Sequence, residues 1–138
     1  KIFAYDIQKR AIEEAKKNIQ KLGFEKKVEF FHQSHKNFSQ KKADLIIYNL
    51  GYLPGSDRKV KTKTTVTLCS VKNALAIASS ISITMYPGHP EGAEEQKSLM
   101  SFVESLDPRV WNISFHRWMN RKKAPCLLWI TKKPFKNG

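Results

Sequence analysis

Short apolar runs alternate with longer stretches in which apolar residues recur every three or four positions, and that alternation constrains the fold more than any other feature of this sequence. Lys1-Ile-Phe-Ala-Tyr5 is an apolar run ending at Asp6, the pattern of a buried strand. From Ile7 to Leu22 the spacing turns helical. Ile12, Ala15, Ile19 and Leu22 share a face, with Lys, Glu and Gln between them, and Gly23 supplies a left-handed cap. Val28–His32 and Ala43–Tyr48 read as the next strands, separated by the polar, turn-like segment Gln33–Ser39. Thr64–Ser79 is helical through Leu68, Val71, Leu75 and Ala78, and Ile81–Tyr86 is a fourth strand. Glu94–Leu106 is an amphipathic helix with Leu99, Phe102, Val103 and Leu106 on one face, stopped by Asp107-Pro108. Trp111–Met119 and Cys126–Thr131 are two further strands joined by residues 120–125. Strands alternating with helices require right-handed crossovers and a mostly parallel sheet. The last two strands, with their short connector, predict an antiparallel hairpin at one edge. The expected class is α/β, in a single domain over residues 1–138, and a chain this long can bury a core without disulfide or metal staples.

Composition narrows the partners. Lys and Arg number 25 against 12 Asp and Glu, a net charge of +13, which favours a polyanion: nucleic acid or an anionic membrane face. The distribution is one-sided. From Pro108 to Gly138 there is no acidic residue, while Arg109, Arg117, Arg121, Lys122, Lys123, Lys132, Lys133 and Lys136 all fall there. A second basic cluster, Arg58, Lys59, Lys61 and Lys63, is offset only by Asp57. The alternative for both is an ordinary solvated lysine-rich face. Two cysteines, Cys69 and Cys126, make neither a disulfide framework nor a zinc site by themselves, which fits a reducing, cytoplasmic compartment. No segment approaches the ~20 apolar residues of a membrane span. The sequence opens in mid-strand on a residue other than Met, so the expectation is that a further N-terminal piece belongs to the native protein.

Ligands of an open α/β sheet bind beyond the carboxyl ends of its strands, and the unusual residues fall at those ends. Asp6 can accept two hydrogen bonds from ribose hydroxyls, or it can cap the helix that follows. His32-Gln33-Ser34-His35 can line a nucleobase pocket. In Asn49-Leu50-Gly51-Tyr52-Leu53-Pro54-Gly55 the Asn oxygen and a neighbouring carbonyl can accept hydrogen bonds from an amine while the Tyr ring stacks on the base bearing it; the alternative is a tight Gly/Pro/Asn turn. In Tyr86-Pro87-Gly88-His89-Pro90-Glu91-Gly92, His89 can accept a proton near neutral pH, line a substrate pocket, or simply fix the loop. No convergent carboxylates or paired Cys/His ligands point to a metal. Trp111, Trp118 and Trp129 all fall in expected strands, where packing is the default. Trp118, flanked by Arg117 and Arg121, is the best candidate for an aromatic that faces RNA.

These motifs together resemble the MnmM family: Asp6-Ile7-Gln8 with Ala11-Ile12, Ser34-His35, the block Asn49–Gly55 with Asp57, and the block Tyr86–Gly92. The resemblance covers nearly the whole chain. It implies a class I, Rossmann-like S-adenosylmethionine-dependent methyltransferase with a seven-stranded sheet whose last strand is antiparallel. The substrate it implies is the tRNA wobble uridine in the anticodon stem-loop, methylated on the amine of its 5-aminomethyl group. By matching position, Asp6 would bind the cofactor ribose with Gln8 beside it, and Gln33 and Ser34 would lie against the adenine. Asn49, Leu50 and Tyr52 would form the methyl-transfer loop, Asn49 and Leu50 also binding the cofactor, with Asn49, Tyr52 and His89 catalytic. Tyr52, Pro54, Tyr86 and His89 would border the wobble base, and Arg121 and Lys122 would hold RNA phosphates. Neither metal nor membrane is implied, and a homodimer is an open alternative for the assembly. Family members carry a first strand and a glycine-rich loop ahead of the position of Lys1, the strand lying between those that end at Tyr5 and Tyr48. The rival readings are an rRNA or protein-amine methyltransferase, an RNA-binding remnant without catalysis, and a dehydrogenase-like nucleotide domain, for which the visible chain has no G-x-G-x-x-G.

Overall fold

The computed structural model describes residues 1–51 and 64–134. The chain runs β1 (Ile2–Asp6), α1 (Lys9–Lys21), a 3-10 turn (Glu25–Lys27), β2 (Val28–His32), β3 (Ala43–Asn49), α2 (Thr64–Ile77), β4 (Ala78–Met85), α3 (Pro90–Glu104), β5 (Trp111–His116) and β6 (Cys126–Lys132). The expected element order is present throughout. The strands lie in two sheets. β1 pairs with β2 in parallel, from Ile2 opposite Val28 to Asp6 opposite His32. β3-β4-β6-β5 form the second sheet, in which β3 and β4 are parallel and β6 is antiparallel to both of its neighbours. Within that sheet β6 alone runs against the others, and the terminal hairpin docks through its second strand onto β4. β1 and β3 carry no ladder between them among the described residues.

The core sits around β4. Ala78, Ile81, Ile83 and Met85 are buried there, beside Leu128 and Ile130 of β6, Val71 and Ala74 of α2, and Leu99 and Val103 of α3. Each large aliphatic side chain removed from water contributes about 1.5–3 kcal/mol, so this cluster outweighs the local helix propensities around it. α2 shows the consequence. Its buried face includes Thr67 and Ser70, which packing tolerates because both hydroxyls are hydrogen-bonded. α1 ends as its sequence predicts. Gly23 has φ +71°, and the bonds Phe24 N to Ile19 O (3.1 Å) and Gly23 N to Gln20 O (3.0 Å) complete a Schellman cap. Leu22, expected on the packed face, is the C-cap residue and is exposed.

Several boundaries differ from the sequence reading, four of them with consequences for the site or its neighbourhood. α1 starts at Lys9 with Gln8 as N-cap, so Asp6 does not cap a helix at Ile7; its Oδ1 instead accepts a 2.7 Å bond from Gln8 N and shapes the turn. α2 stops at Ile77, because Ala78 enters the ladder opposite Ala43. α3 starts at Pro90, four residues before the expected Glu94. β5 ends at His116, which places Trp118 in the connector and not in a strand. No helix among the described residues is long and apolar enough to cross a membrane.

Candidate functional site at the carboxyl rim

β3 ends at Asn49, and β4 ends one residue before Tyr86. Their parallel register sets Asn49 opposite Thr84, and the Leu50 N–H donates to Thr84 O at 3.0 Å, so the chain leaving β3 stays against β4. That brings together two residues 37 apart in sequence: the Tyr86 hydroxyl donates to Asn49 Oδ1 at 2.7 Å. Gly51 lies under the same ring. A Cβ there would sit 3.4 Å from Tyr86 Cε2, in van der Waals contact with the phenol ring. A carbonyl oxygen has two lone pairs, and the phenol occupies one. The amide is therefore held in orientation with acceptor capacity remaining.

His89 joins this cluster through α3. It is the helix N-cap, its Nδ1 accepting the Gly92 N–H at 3.0 Å, with Glu91 Oε2 3.3 Å from the same nitrogen. With Nδ1 accepting the Gly92 N–H the neutral ring carries its proton on Nε2, whereas a proton on Nδ1 would face Glu91 Oε2 instead. Of the three roles open to His89 in the sequence, fixing the loop is the one this bond performs. Gly92 packs against both Tyr86 O and the His89 ring, which leaves no room for a side chain at that position. Below the cluster, the Thr67 hydroxyl donates to Glu95 Oε1 at 2.7 Å, tying the start of α2 to the first turns of α3. Glu95 is only 8% exposed, and burial raises its pKa, opposed by the Thr67 bond and the nearby His89. Neither Thr67 nor Glu95 stands out in the sequence. The only signal is an acidic residue four positions ahead of Leu99, in line with the apolar stripe of the helix.

The other half of the rim is built on β1 and β2. Asp6 lies opposite His32, and His32 Nε2 is 3.0 Å from Ile7 O, which ties the two strand ends together. A carboxylate offers about four lone-pair sites, so the bond from Gln8 N leaves Asp6 able to accept a diol. Gln33 and Ser34 are exposed just beyond β2, with Ser34 Oγ accepting Lys36 N at 3.2 Å. A carboxylate, an amide and a hydroxyl are the kinds of group that hydrogen-bond a nucleoside. His35 departs from the expected nucleobase lining. Its ring packs edge-on to Tyr48 at 5.5 Å, and its carbonyl accepts from Ser70 Oγ at 2.6 Å, which itself lies 2.8 Å from the Tyr48 hydroxyl. Burial pushes the Tyr48 phenol up to about 12.

The structure thus joins Asn49, Leu50, Tyr86 and His89 in one cluster and Asp6, Gln8, Gln33 and Ser34 in a second group on the same rim. Tyr52 and Pro54 lie outside the described residues, as do the cluster Arg58, Lys59, Lys61 and Lys63, and Lys136. Arg121 and Lys122 are exposed on the β5–β6 connector, which leaves the sheet at the same rim: Cys126 lies opposite Met85 and Leu127 opposite His116. A cleft of 470 Å³ lined by Met100, Leu106, Trp111, Ile113 and Phe115 lies between α3 and β5, away from these residues.

Alternating strands and helices, an antiparallel strand set between β4 and β5, and polar side chains on the carboxyl rim define the class I methyltransferase fold. A "putative rRNA-methylase" of Clostridium thermocellum has the same architecture, with a TM-score of 0.88 and 25% identity, over 95% of this chain and 74% of that one. A "putative methyltransferase" of Streptococcus mutans, solved in complex with SAH, gives a TM-score of 0.85 at 24% identity, over 96% and 76% of the two chains. The chain belongs to the family described as "Putative rRNA methylase", whose model matches residues 2–132. A curated relative, the chloroplastic tRNA (mnm(5)s(2)U34)-methyltransferase of Arabidopsis thaliana, is 32% identical over 143 residues. The match takes in 96% of this chain and 52% of the relative, so the chain spans about half the length of that curated protein.

Proposed function

We propose that this chain is part of an S-adenosylmethionine-dependent RNA methyltransferase acting, in the cytoplasm, on the amine of a 5-aminomethyl uridine at the tRNA wobble position. The observation that carries the reading is Asn49 held by the Tyr86 hydroxyl on the rim beside His89. The named activity of the Arabidopsis relative supports the substrate. Asp6 holds the cofactor ribose, with Gln33 and Ser34 against the adenine. When bound, the cofactor supplies a methyl group already activated by its sulfonium charge.

The chain's own work is positioning. Asn49 Oδ1 accepts an N–H of the substrate amine through its remaining lone pair, which fixes the direction of the nitrogen's own lone pair; alignment of this kind accounts for much of the rate gained in bringing two reactants together. Tyr86 holds the amide and walls the pocket. Enclosure of the amine once the base is bound would favour its neutral over its ammonium form, because burial disfavours charge. His89, while its Nδ1 caps α3, shapes the wall. Tyr52 and Pro54 are assigned to the base by the family resemblance alone, and Arg121 and Lys122 hold phosphates.

The test is transfer of labelled methyl to tRNA with and without the 5-aminomethyl group. Labelling of only the aminomethylated tRNA supports the reading, and labelling of both would point to another acceptor. Asn49→Ala should lower turnover about a hundredfold, the scale of one positioned hydrogen-bonding group, with tRNA affinity unchanged; equal losses in both would make Asn49 a binding residue. A second reading, RNA binding without catalysis, is favoured by the separation of the Asp6 and Asn49 groups onto two unpaired sheets. RNA binding without any heat of S-adenosylmethionine binding would select it.

A further inference from the structure

We infer that Trp118, on the connector between β5 and β6, is a stacking platform for an unpaired RNA base adjacent to the one delivered to Asn49 and Tyr86. The inference rests on the RNA reading above and adds a second base contact to it. The placement follows from the ladder. β5 reaches the rim at His116 and β6 returns from it at Cys126, so residues 117–125 project from the edge that carries the Asn49 cluster. The connector touches that cluster: a Cβ on Gly88 would meet Lys123 O at 3.3 Å, one residue before His89.

The chemistry of the connector is specific. Trp118 is 62% exposed and Met119 78% exposed, while Trp111 and Trp129 are half-buried. The Arg121 guanidinium lies 5.6 Å from the centroid of the Trp118 ring, a cation–π pair presenting two planar groups at one point. Arg117, Arg121, Lys122 and Lys123 are all exposed and make no ion pair among the described residues, and no acidic residue occurs anywhere between Pro108 and Gly138. Cations without acidic partners call for phosphates; an exposed indole among them calls for a flat apolar face. A duplex supplies only the first, because its bases are stacked on one another. An RNA loop supplies both, since its unpaired bases are free to stack on aromatic rings and guanidinium planes.

The full chain, without cofactor, is titrated with a short RNA hairpin bearing an unpaired loop, and separately with a fully paired duplex of equal phosphate number. Hairpin binding should quench tryptophan fluorescence. Trp118→Ala should weaken hairpin binding roughly tenfold or more and leave duplex binding unchanged. Trp118→Phe should restore most of the hairpin affinity while abolishing the quench. Because the side chain is exposed, an unchanged melting temperature verifies that both variants fold. Hairpin affinity indifferent to Trp118, or an equal loss on hairpin and duplex, overturns the platform alone. Failure of the unaltered protein to bind the hairpin overturns the RNA reading and the platform with it. Failure of methyl transfer touches neither measurement.

Discussion

His35 is the residue whose surroundings suit it least. Its Nδ1 is buried and has no hydrogen-bond partner among the described residues. Burial lowers its pKa from the ordinary 6.5, partly offset by its own backbone and by the charge of Asp6. The unfolded chain therefore binds the proton more tightly than the folded one. Stability is fully present above pH 6.5 and is lost as the pH falls through the lowered value. His35→Phe keeps the edge-on contact with Tyr48 and removes the orphaned nitrogen. It should raise stability by about 1 kcal/mol, with a larger gain near pH 5 than near pH 8, read by urea denaturation at both. Sequence reasoning cannot separate His35 from Ser34, because four polar residues after a strand carry no periodicity. Which one turns inward is decided by Tyr48 and Ser70, residues 13 and 35 positions away. The Tyr86–Asn49 bond is hidden for the same reason: each motif is legible, and the atom joining them is not.

At the scale of elements, legibility follows the strength of the stop signals. Gly23 ends α1 where its left-handed preference places it. Between α2 and β4 there is no glycine, proline or cap, and the helical spacing runs on through Ala78; the ladder with β3 sets the boundary, and one sequence cannot show a ladder. The start of α3 is obscured in a different way. Pro90 and Gly92 look like loop residues, yet Pro is well suited to the first helical turn and His89 caps it. Gly92 is required there by its neighbours and not by backbone conformation. Gly92→Ala would drive a methyl into Tyr86 O and the His89 ring. The expected cost is about 1–3 kcal/mol, seen as a lower urea midpoint, with methyl transfer falling further than stability alone accounts for because Tyr86 and His89 move together.

Over the whole molecule, the basic bias visible in the composition becomes a position. The cations of the connector stand on the rim beside the candidate site, so binding there should depend steeply on salt. Reversing Arg121, Lys122 and Lys123 to Glu should weaken tRNA binding and reduce the slope of log affinity against log salt by roughly 0.7–0.9 for each phosphate left without its cation. An unchanged slope would put the RNA elsewhere. The order of elements and the antiparallel hairpin can be read directly from alternating periodicities. The division into two sheets cannot, because it depends on which strands hydrogen-bond.

Among the described residues that division leaves β3 with an unladdered edge, beside which Leu45 is 45% exposed and Ile47 69% exposed. A bare row of amide and carbonyl groups flanked by aliphatic side chains is a template for any extended chain that meets it. At low ionic strength the net charge of +13 holds copies of the molecule apart. Once counterions mask that repulsion, the edge Ala43–Asn49, wherever no further strand covers it, is where ribbon-like clumping of one copy on the next would begin.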